Sequence, residues 1–147
     1  MDVIDKQLVQ LLEKDATQSS KVLAAKLDVS AATVRRRTAN LVKNNVIRLV
    51  AVVDPEKAGF PFAAVLSLDV ELEYLDSAIQ HLDRRPEVRW LCTSTGRSNV
   101  VAVTQFASPD ELADFTKGEL ARVKGVKHLE TAIILKREKA HYVLGVF

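Results

Sequence analysis

Two short helical segments with almost nothing between them restrict the possible folds of this chain more than any other feature. Residues 20–27 (SKVLAAKL) are amphipathic, and Ser30 can cap a second helix that extends over residues 30–43. The connection, Asp28-Val29, is long enough only for a tight turn. Two helices joined this closely, the second one basic, predict a helix-turn-helix.

The second helix, called the reading helix below, has two different faces. One face is available for packing and carries residues at the i, i+4, i+7 spacing: Val34, Thr38 and Leu41. The opposite face carries small and basic side chains: Ala32, Arg36, Ala39 and Lys43. We therefore predict that the reading helix packs with one face and meets an anionic partner with the other.

Three consecutive arginines cannot share one direction, because successive helical residues turn by about 100°. With Val34 and Leu41 inward, Arg36 projects outward and is the candidate for a base contact, where a guanidinium can bond twice to guanine. Arg35 and Arg37 flank it and are predicted to contact phosphates.

Residues at the two ends of the reading helix complete the predicted DNA contacts. Ala32 and Thr33 can approach a thymine methyl group or a phosphate, Ser30 can both cap the helix and bind a phosphate, and Lys43 can bind a phosphate. The alternative is that these polar and basic side chains form only a solvated surface. The preceding turn and helix favour DNA contact.

The charge distribution agrees with a DNA-binding first half. Residues 1–50 carry nine Lys and Arg against five Asp and Glu, a net charge of +4, whereas residues 51–147 carry 12 against 14, a net charge of −2. Such an asymmetry is expected when one module meets a polyanion. A single cysteine, Cys92, excludes an internal disulfide framework. Because neither a signal peptide nor a membrane-spanning apolar run is present, we expect a cytoplasmic protein without a membrane partner.

Periodicity also predicts the elements around the helix-turn-helix. Residues 2–14 predict a first helix, so that residues 1–50 form a trihelical, winged-type helix-turn-helix domain. The β-branched run 46–53 (VIRLVAVV) predicts a link strand, and residues 51–61 comprise its end and a loop. We place the domain boundary there.

Residues 62–147 predict a second domain of alternating strands and helices. Strands are expected at 62–70, 88–95, 100–106 and 126–136, and helices at 74–82 and 108–123, with 142–147 as a further edge strand or a surface that covers a partner. The order βαββαβ is that of the ferredoxin-like fold. The chain is thus predicted to be an α+β protein.

Several stretches along the chain resemble the Lrp/AsnC (feast/famine) family of transcription regulators. They are IDKQLVQLLEKDA, LAAKLDVSAATVRRR, NNVIRLVAVVDPEKAGF, STG at 94–96, and GVKHLETAIILK at 125–136. The resemblance covers essentially the whole chain. It implies a DNA-binding domain followed by a ferredoxin-like domain that dimerises, often assembles to octamers, and commonly binds amino acids or similar metabolites between dimers.

The resemblance also supplies candidate effector-binding residues in the ligand-facing turn and the last strand. They are Thr95, Gly96, Ser98, Asn99 and Thr131. Many family members have an aspartate in this turn that can hold a ligand's amino group, whereas this chain has neutral Asn99 and the opposite charge of Arg97. The alternative is that Gly96 makes a turn and the polar side chains satisfy its backbone.

Two other function classes remain open from the sequence. Siroheme decarboxylases resemble this two-domain architecture, and His128 and Arg97 would then act on a tetrapyrrole. A nucleoid-type architectural protein, binding DNA with little specificity, is the other alternative. The histidines are scattered, and no phosphate-binding loop or nucleophile motif is present, so we predict no metal, no cofactor and no catalysis.

Overall fold

The computed structural model describes residues 1–138. The chain divides into two compact units, Met1–Ala51 and Val52–Phe147. The first unit ends at Ala51, the first residue of the segment 51–61 in which the sequence analysis places the domain boundary. The predicted terminal strand at 142–147 lies outside the described residues.

Three helices form the first unit, and each begins at a polar residue whose side chain caps it. They are α1 (Val3–Lys14), α2 (Ser20–Leu27) and α3 (Ala31–Lys43), with N-caps Asp2, Ser19 and Ser30. Each cap side chain accepts a hydrogen bond from a backbone N–H of the first turn, which would otherwise have no partner. The three predicted helices and the predicted cap of the reading helix, α3, are confirmed.

The turn between α2 and α3 depends on one left-handed residue. Asp28, with φ 51° and ψ 49°, ends α2, and the N–H of Val29 donates to the carbonyl oxygen of Ala24 at 3.1 Å. Asp tolerates this conformation better than most residues because its short side chain hydrogen-bonds locally. The two helices then pack with α1 around one apolar core: Leu8, Leu12, Leu23, Ala24, Val34 and Leu41.

The predicted link strand at 46–53 is absent from the described residues, and so is any β-wing on the three helices. The N–H groups of Val46 and Ile47 donate instead to the carbonyl oxygen of Leu41, and much of the remaining run is exposed, with Val53 at 67%. A strand exists only when another strand accepts its hydrogen bonds, and no described strand lies alongside this one. High β-propensity alone was therefore not sufficient to form a strand at residues 46–53.

The second unit contains a four-stranded antiparallel sheet with two helices. Its elements are β1 (Phe62–Val70), α4 (Leu75–Asp83), β2 (Val88–Thr93), β3 (Val100–Phe106), α5 (Pro109–Gly118) and β4 (Val126–Ile133). Short 3-10 helices at Leu72–Tyr74 and Leu120–Arg122 adjoin α4 and α5. The strand order β2-β3-β1-β4 and the βαββαβ sequence confirm the predicted ferredoxin-like arrangement.

Only one face of this sheet is fully buried. Alternate residues of β1 and β3, such as Leu66, Leu68 and Ala102, pack against α4 and α5 with no exposed surface. Phe106 of β3 meets Phe115 of α5 with ring centroids 5.4 Å apart. The intervening residues point to the other face, because successive side chains of a strand alternate between the two sides.

A glycine immediately precedes the last strand, because a side chain would not fit at this position. Gly125 has φ +77°, and a Cβ atom built there would lie 2.5 Å from Cδ2 of Tyr74. Its carbonyl oxygen also accepts a hydrogen bond from the N–H of Glu71 at 2.8 Å. Gly125 thus places β4 close to the segment that leaves β1.

Candidate nucleic-acid interface and effector turn

The reading helix α3 presents a basic surface to solvent. Val34 and Leu41 are buried, at 1% and 5% exposure, whereas Arg35 and Arg36 are exposed. Ala32 and Lys43, placed by the helical period on the same side as Arg36, are also exposed. The outward face therefore has the small side chain of Ala32 at one end, the guanidinium of Arg36 at its centre and the ammonium group of Lys43 at the other end. Such a face is suited to insertion into a major groove.

The start of α3 is held by a compact hydrogen-bonded pair. Ser30 Oγ accepts from the backbone N–H of Thr33 at 3.0 Å and lies 2.8 Å from Thr33 Oγ1. Ser30 is exposed and Thr33 is half-buried. The cap fixes the first turn, and the N–H groups there give the helix start a partial positive charge that favours a nearby phosphate.

Arg37 points away from this surface, and the structure gives it a role different from the predicted phosphate contact. Its Nη1 lies 2.7 Å from Oδ2 of Asp2 and 2.8 Å from Oδ1 of Asp5, at the start of α1. The helical period explains this direction, because Arg37 lies about 40° from Leu41 around the helix and about 100° from Arg36. Arg37 therefore ties the reading helix to α1.

Arg37, Asp2 and Asp5 form a cluster called the Arg37 clasp below. Its contacts shift the pKa of each of the three side chains. The hydrogen bond from Arg37 lowers the pKa of Asp5, and the backbone N–H of Asp5, followed by Arg37, lowers the pKa of Asp2. The two carboxylates in turn raise the pKa of Arg37. Each charged form is stabilised by its neighbours, so the clasp is fully ionised near neutral pH.

Sequence reasoning missed Asp2 and Asp5 as partners of the reading helix. Acidic residues at the start of a helix are already explained by the helix dipole, so their presence there does not point to a distant partner. The spacing of Val34, Arg37 and Leu41, i, i+3 and i+7, predicts that the guanidinium lies beside the packing face, but it does not identify the carboxylates that bind it.

The predicted effector turn joins β2 to β3 and is stabilised largely by its own polar groups. Gly96 has φ +117°, a conformation that side chains rarely allow. Ser94 Oγ donates to the carbonyl oxygen of Ser98 at 2.7 Å, and the N–H of Ser94 donates to the carbonyl oxygen of Asn99 at 3.0 Å. Thr95 and Gly96 are exposed at its tip.

Asn99 was predicted to face a ligand, but its amide is already engaged with the backbone. Nδ2 donates to the carbonyl oxygen of Val70 at 2.7 Å, and Oδ1 accepts from the N–H of Val70 at 2.9 Å. The amide thus bridges both polar groups of one residue at the end of β1. A neutral amide provides one donor and one acceptor for this purpose, which a carboxylate cannot do.

Thr131 does not approach the turn within one chain. It lies on β4 opposite Leu66 of β1, whereas Asn99 follows the turn into β3 on the other side of β1. The two residues are thus separated by two strand spacings, about 10 Å, across the sheet. Thr131 is exposed, and the predicted effector residues do not converge in a single protomer.

The residues suspected in a tetrapyrrole enzyme are both on the surface. Arg97 is exposed in the effector turn, and exposed His128 of β4 pairs with Asp69 of β1. Within residues 1–138, no three His, Cys, Asp or Glu side chains are grouped so as to hold a metal ion. No helix in this part of the chain has the length and apolar character needed to cross a membrane.

Two family models match consecutive parts of the chain. Residues 1–42 match the AsnC-type helix-turn-helix domain, and residues 63–144 match the Lrp/AsnC ligand binding domain. The first match contains α1, α2 and α3 up to Val42, and the second contains the sheet from Ala63 of β1 onward. One matched region therefore lies in each of the two units.

Relatives and solved structures give the same result. The chain is 31% identical over 143 residues to an uncharacterized HTH-type transcriptional regulator of Pyrococcus horikoshii, covering 97% of this chain and 90% of the relative. It is 29% identical over 140 residues to the HTH-type transcriptional regulator LrpA of the same organism, covering 95% and 99%.

Among solved structures, E. coli AsnC aligns with a TM-score of 0.88 at 20% identity, covering 96% of each chain. A transcriptional regulator from Neisseria meningitidis in complex with L-Met aligns with a TM-score of 0.90 at 18% identity, covering 99% of this chain and 97% of the other. These two similarities establish the fold. The two family models and the relative that is 31% identical show that the chain belongs to the Lrp/AsnC family of DNA-binding transcriptional regulators.

Proposed function

We propose that this regulator reads a specific operator through Arg36, with Arg35 and Lys43 on flanking phosphates. The observation that supports this assignment most directly is the division of the arginine run. Arg35 and Arg36 are exposed, while Arg37 is held by Asp2 and Asp5. One guanidinium is thereby left at the centre of the outward face, and a bidentate contact to guanine contributes about 1 to 3 kcal/mol of discrimination.

The start of the reading helix contributes contacts of a different kind. Ala32 is exposed and small, so it can meet a thymine methyl group, and the capped first turn offers Ser30 and Thr33 to a phosphate. These contacts fix the register of the helix on the duplex, while Arg36 supplies the base readout.

The protein acts as a homo-oligomer, at least a dimer, in this proposal. Half-buried residues lie on the sheet face away from α4 and α5: Val65, Trp90, Cys92, Val101 and Val103. A second copy that covers this face would remove apolar surface from water and present two reading helices to half-sites about 34 Å apart. The exposed β-branched run 46–53 is a further candidate for pairing between copies. Octamers, common in the family, would extend the same contacts.

We further propose that the regulator responds to a small-molecule effector, such as an amino acid. The match to a ligand-binding domain and the L-Met complex of a structural neighbour support it. Thr95, Gly96 and Ser98 are the residues of the exposed turn that we assign to it, together with Thr131 supplied from a neighbouring protomer. Asn99 has a structural role in this proposal, because its amide hydrogen-bonds the backbone of Val70 and so stabilises the turn.

The test begins with unbiased selection of DNA fragments from the source genome, with and without pooled amino acids. Binding of the enriched fragment and of a scrambled duplex is then compared by fluorescence anisotropy for wild type, Arg36→Ala and Arg35→Ala. Arg36→Ala should lose about 1 to 3 kcal/mol on the enriched fragment and little more than the matched charge control on the scrambled one.

Arg35→Ala is the matched control because it removes the same charge from the neighbouring position. It should weaken binding to both duplexes equally and reduce the salt dependence by about one phosphate contact. Equal weakening of both duplexes by Arg36→Ala would contradict base readout. Uniform protection of genomic DNA, without discrete sites, would favour the architectural alternative.

We also propose that the protein is not an enzyme. We expect it to act in the cytoplasm, because a transcription regulator must reach the chromosome. The relatives are named as transcriptional regulators. Tight binding of a tetrapyrrole, weakened by His128→Ala and Arg97→Ala, without retention of duplex DNA at low salt, would instead favour the enzyme alternative.

A further inference from the structure

The reading helix α3 carries a second exposed polar side chain beside Arg36, that of Asn40. Asn40 lies four residues after Arg36, about 6 Å further along the helix axis and about 40° around it. Both residues are exposed, and side chains four residues apart on a helix are neighbours. A partner that lies along the helix at Arg36 therefore also meets Asn40.

The side chain of Asn40 has no structural role in the first unit. Within residues 1–138 its amide makes no hydrogen bond, and the residue is exposed rather than packed. Asparagine is also a poorer helix former than alanine, arginine or lysine, because its amide competes for the backbone hydrogen bonds of the helix. A residue that weakens its own helix and gains no contact in return is expected at a functional site.

Small side chains beside Arg36 allow α3 to approach a partner along its length. Ala32 and Ala39 are exposed, and the helical period places them on the same side as Arg36, one before it and one after it. Neither side chain extends beyond its Cβ atom, so the helix can lie deep in a groove. From Ala32 to Asn40, α3 extends over about 12 Å, the length of three to four base pairs at about 3.4 Å each.

We propose that Asn40 is a second base-reading residue, which reads an adenine close to the guanine read by Arg36. The amide of asparagine has both a donor and an acceptor, which match the N7 acceptor and the N6 amino donor of adenine in the major groove. The other three bases present different patterns there. Asn40 has this role only if Arg36 reads a guanine as proposed, because that contact places the helix in the groove.

Helix geometry also determines the spacing of the two bases. The separation of about 6 Å between Arg36 and Asn40 along the axis corresponds to about two base pairs. The adenine is therefore one or two base pairs from the guanine, on the side of the C-terminal end of α3. Each half-site of the operator should contain a G·C pair and an A·T pair at this spacing.

The test measures the contribution of each base pair of the operator to binding. The fragment enriched from the source genome is changed one base pair at a time, and its binding to the full chain is followed by fluorescence anisotropy. Arg36→Ala should lose discrimination at a G·C pair, and Asn40→Ala at an A·T pair one or two base pairs away, by about fivefold or more in each case. Gln10→Ala, which removes an exposed amide of α1, should keep the wild-type profile.

A modified adenine tests the contact at the level of one atom. Replacement of this adenine by 7-deazaadenine removes the N7 acceptor but keeps the pairing with thymine, so wild-type binding should weaken by about threefold or more. Asn40→Ala has no amide to lose, and it should bind both duplexes equally. Alanine is the better helix former, so the variant should have at least the helix content and the Tm of wild type in circular dichroism.

Three results would each overturn this role of Asn40 and leave the readout by Arg36 intact. They are a wild-type profile for Asn40→Ala, its equal weakening on every operator variant, as a phosphate contact would give, and an equal response of wild type and Asn40→Ala to 7-deazaadenine. The absence of any enriched fragment would instead overturn both the role of Asn40 and the proposed function.

Discussion

Replacing Asn99 by alanine tests the assignment of its amide to the backbone of β1. The amide makes two hydrogen bonds with Val70, at 2.7 and 2.9 Å, and Val70 is only 2% exposed. Removal of the amide leaves a buried N–H and a buried carbonyl oxygen without these partners, at about 1 to 2 kcal/mol each. We expect the free energy of unfolding of the second unit to fall by about 2 to 4 kcal/mol, a large part of the stability of a small domain.

The assay is urea unfolding followed by the fluorescence of Trp90, the single tryptophan, which lies in the second unit. Gln80→Ala provides the matched control, because Gln80 is an exposed amide of the same unit. Its unfolding free energy should stay within about 0.5 kcal/mol of wild type. If Asn99→Ala changed stability as little as Gln80→Ala, the hydrogen bonds to Val70 would not stabilise the second unit. That result would favour the original prediction that Asn99 contacts a ligand.

The Asn99→Asp variant separates the two hydrogen bonds. The new carboxylate can still accept from the N–H of Val70, but it places a second acceptor against the carbonyl oxygen of Val70. Below the pKa of this carboxyl group, its O–H can donate again. Protonation therefore favours the folded state, and the stability deficit of the variant relative to wild type should shrink as the pH is lowered. A deficit that grows in acid would contradict this account.

The remaining predictions concern the Arg37 clasp and the start of β4. Arg37 lowers the pKa of Asp5 below 3.8, and the backbone N–H of Asp5, followed by Arg37, does the same for Asp2. The clasp therefore stabilises the first unit above that pH and loses this contribution as the pH falls through the lowered pKa values. Arg37→Gln should therefore flatten the acid unfolding of the helices, measured by circular dichroism, and leave the salt dependence of DNA binding unchanged, whereas a phosphate contact would reduce it by about one unit. Gly125→Ala should destabilise the second unit by at least about 1 to 2 kcal/mol, because of its left-handed φ and the 2.5 Å approach to Tyr74. Unchanged urea unfolding of Gly125→Ala would show that Tyr74 moves without cost.

The elements of both units followed from local patterns, whereas the link strand did not. The 3.6-residue period of α3 and the alternation in β1 each express which face a segment buries, and caps such as Ser30 mark where a helix begins. The run 46–53 has the composition of a strand, but its state depends on a partner that composition does not contain.

In the candidate site, likewise, only the features that depend on local spacing could be predicted from the sequence. The helical period alone placed Arg36 on the outward face, because the buried positions Val34 and Leu41 fix the rotation of the helix. The partners of Arg37 and Asn99 could not be read from local spacing, since Asp2 is 35 residues from Arg37 and Val70 is 29 residues from Asn99. Hydrogen bonds over such separations exist only after the helices and strands have packed.

Apart from the link strand, the sequence by itself determined the order of helices and strands, the fold class and the basic surface of the reading helix, because each of these depends on near neighbours along the chain. The tertiary structure decided which polar groups remain available for function. It engaged Arg37 with Asp2 and Asp5, and Asn99 with the backbone of Val70, so that neither side chain is available for the contact predicted from the sequence. The physical reason is that hydrogen-bonding capacity belongs to a side chain, but its use depends on the groups that folding brings within about 3 Å of it.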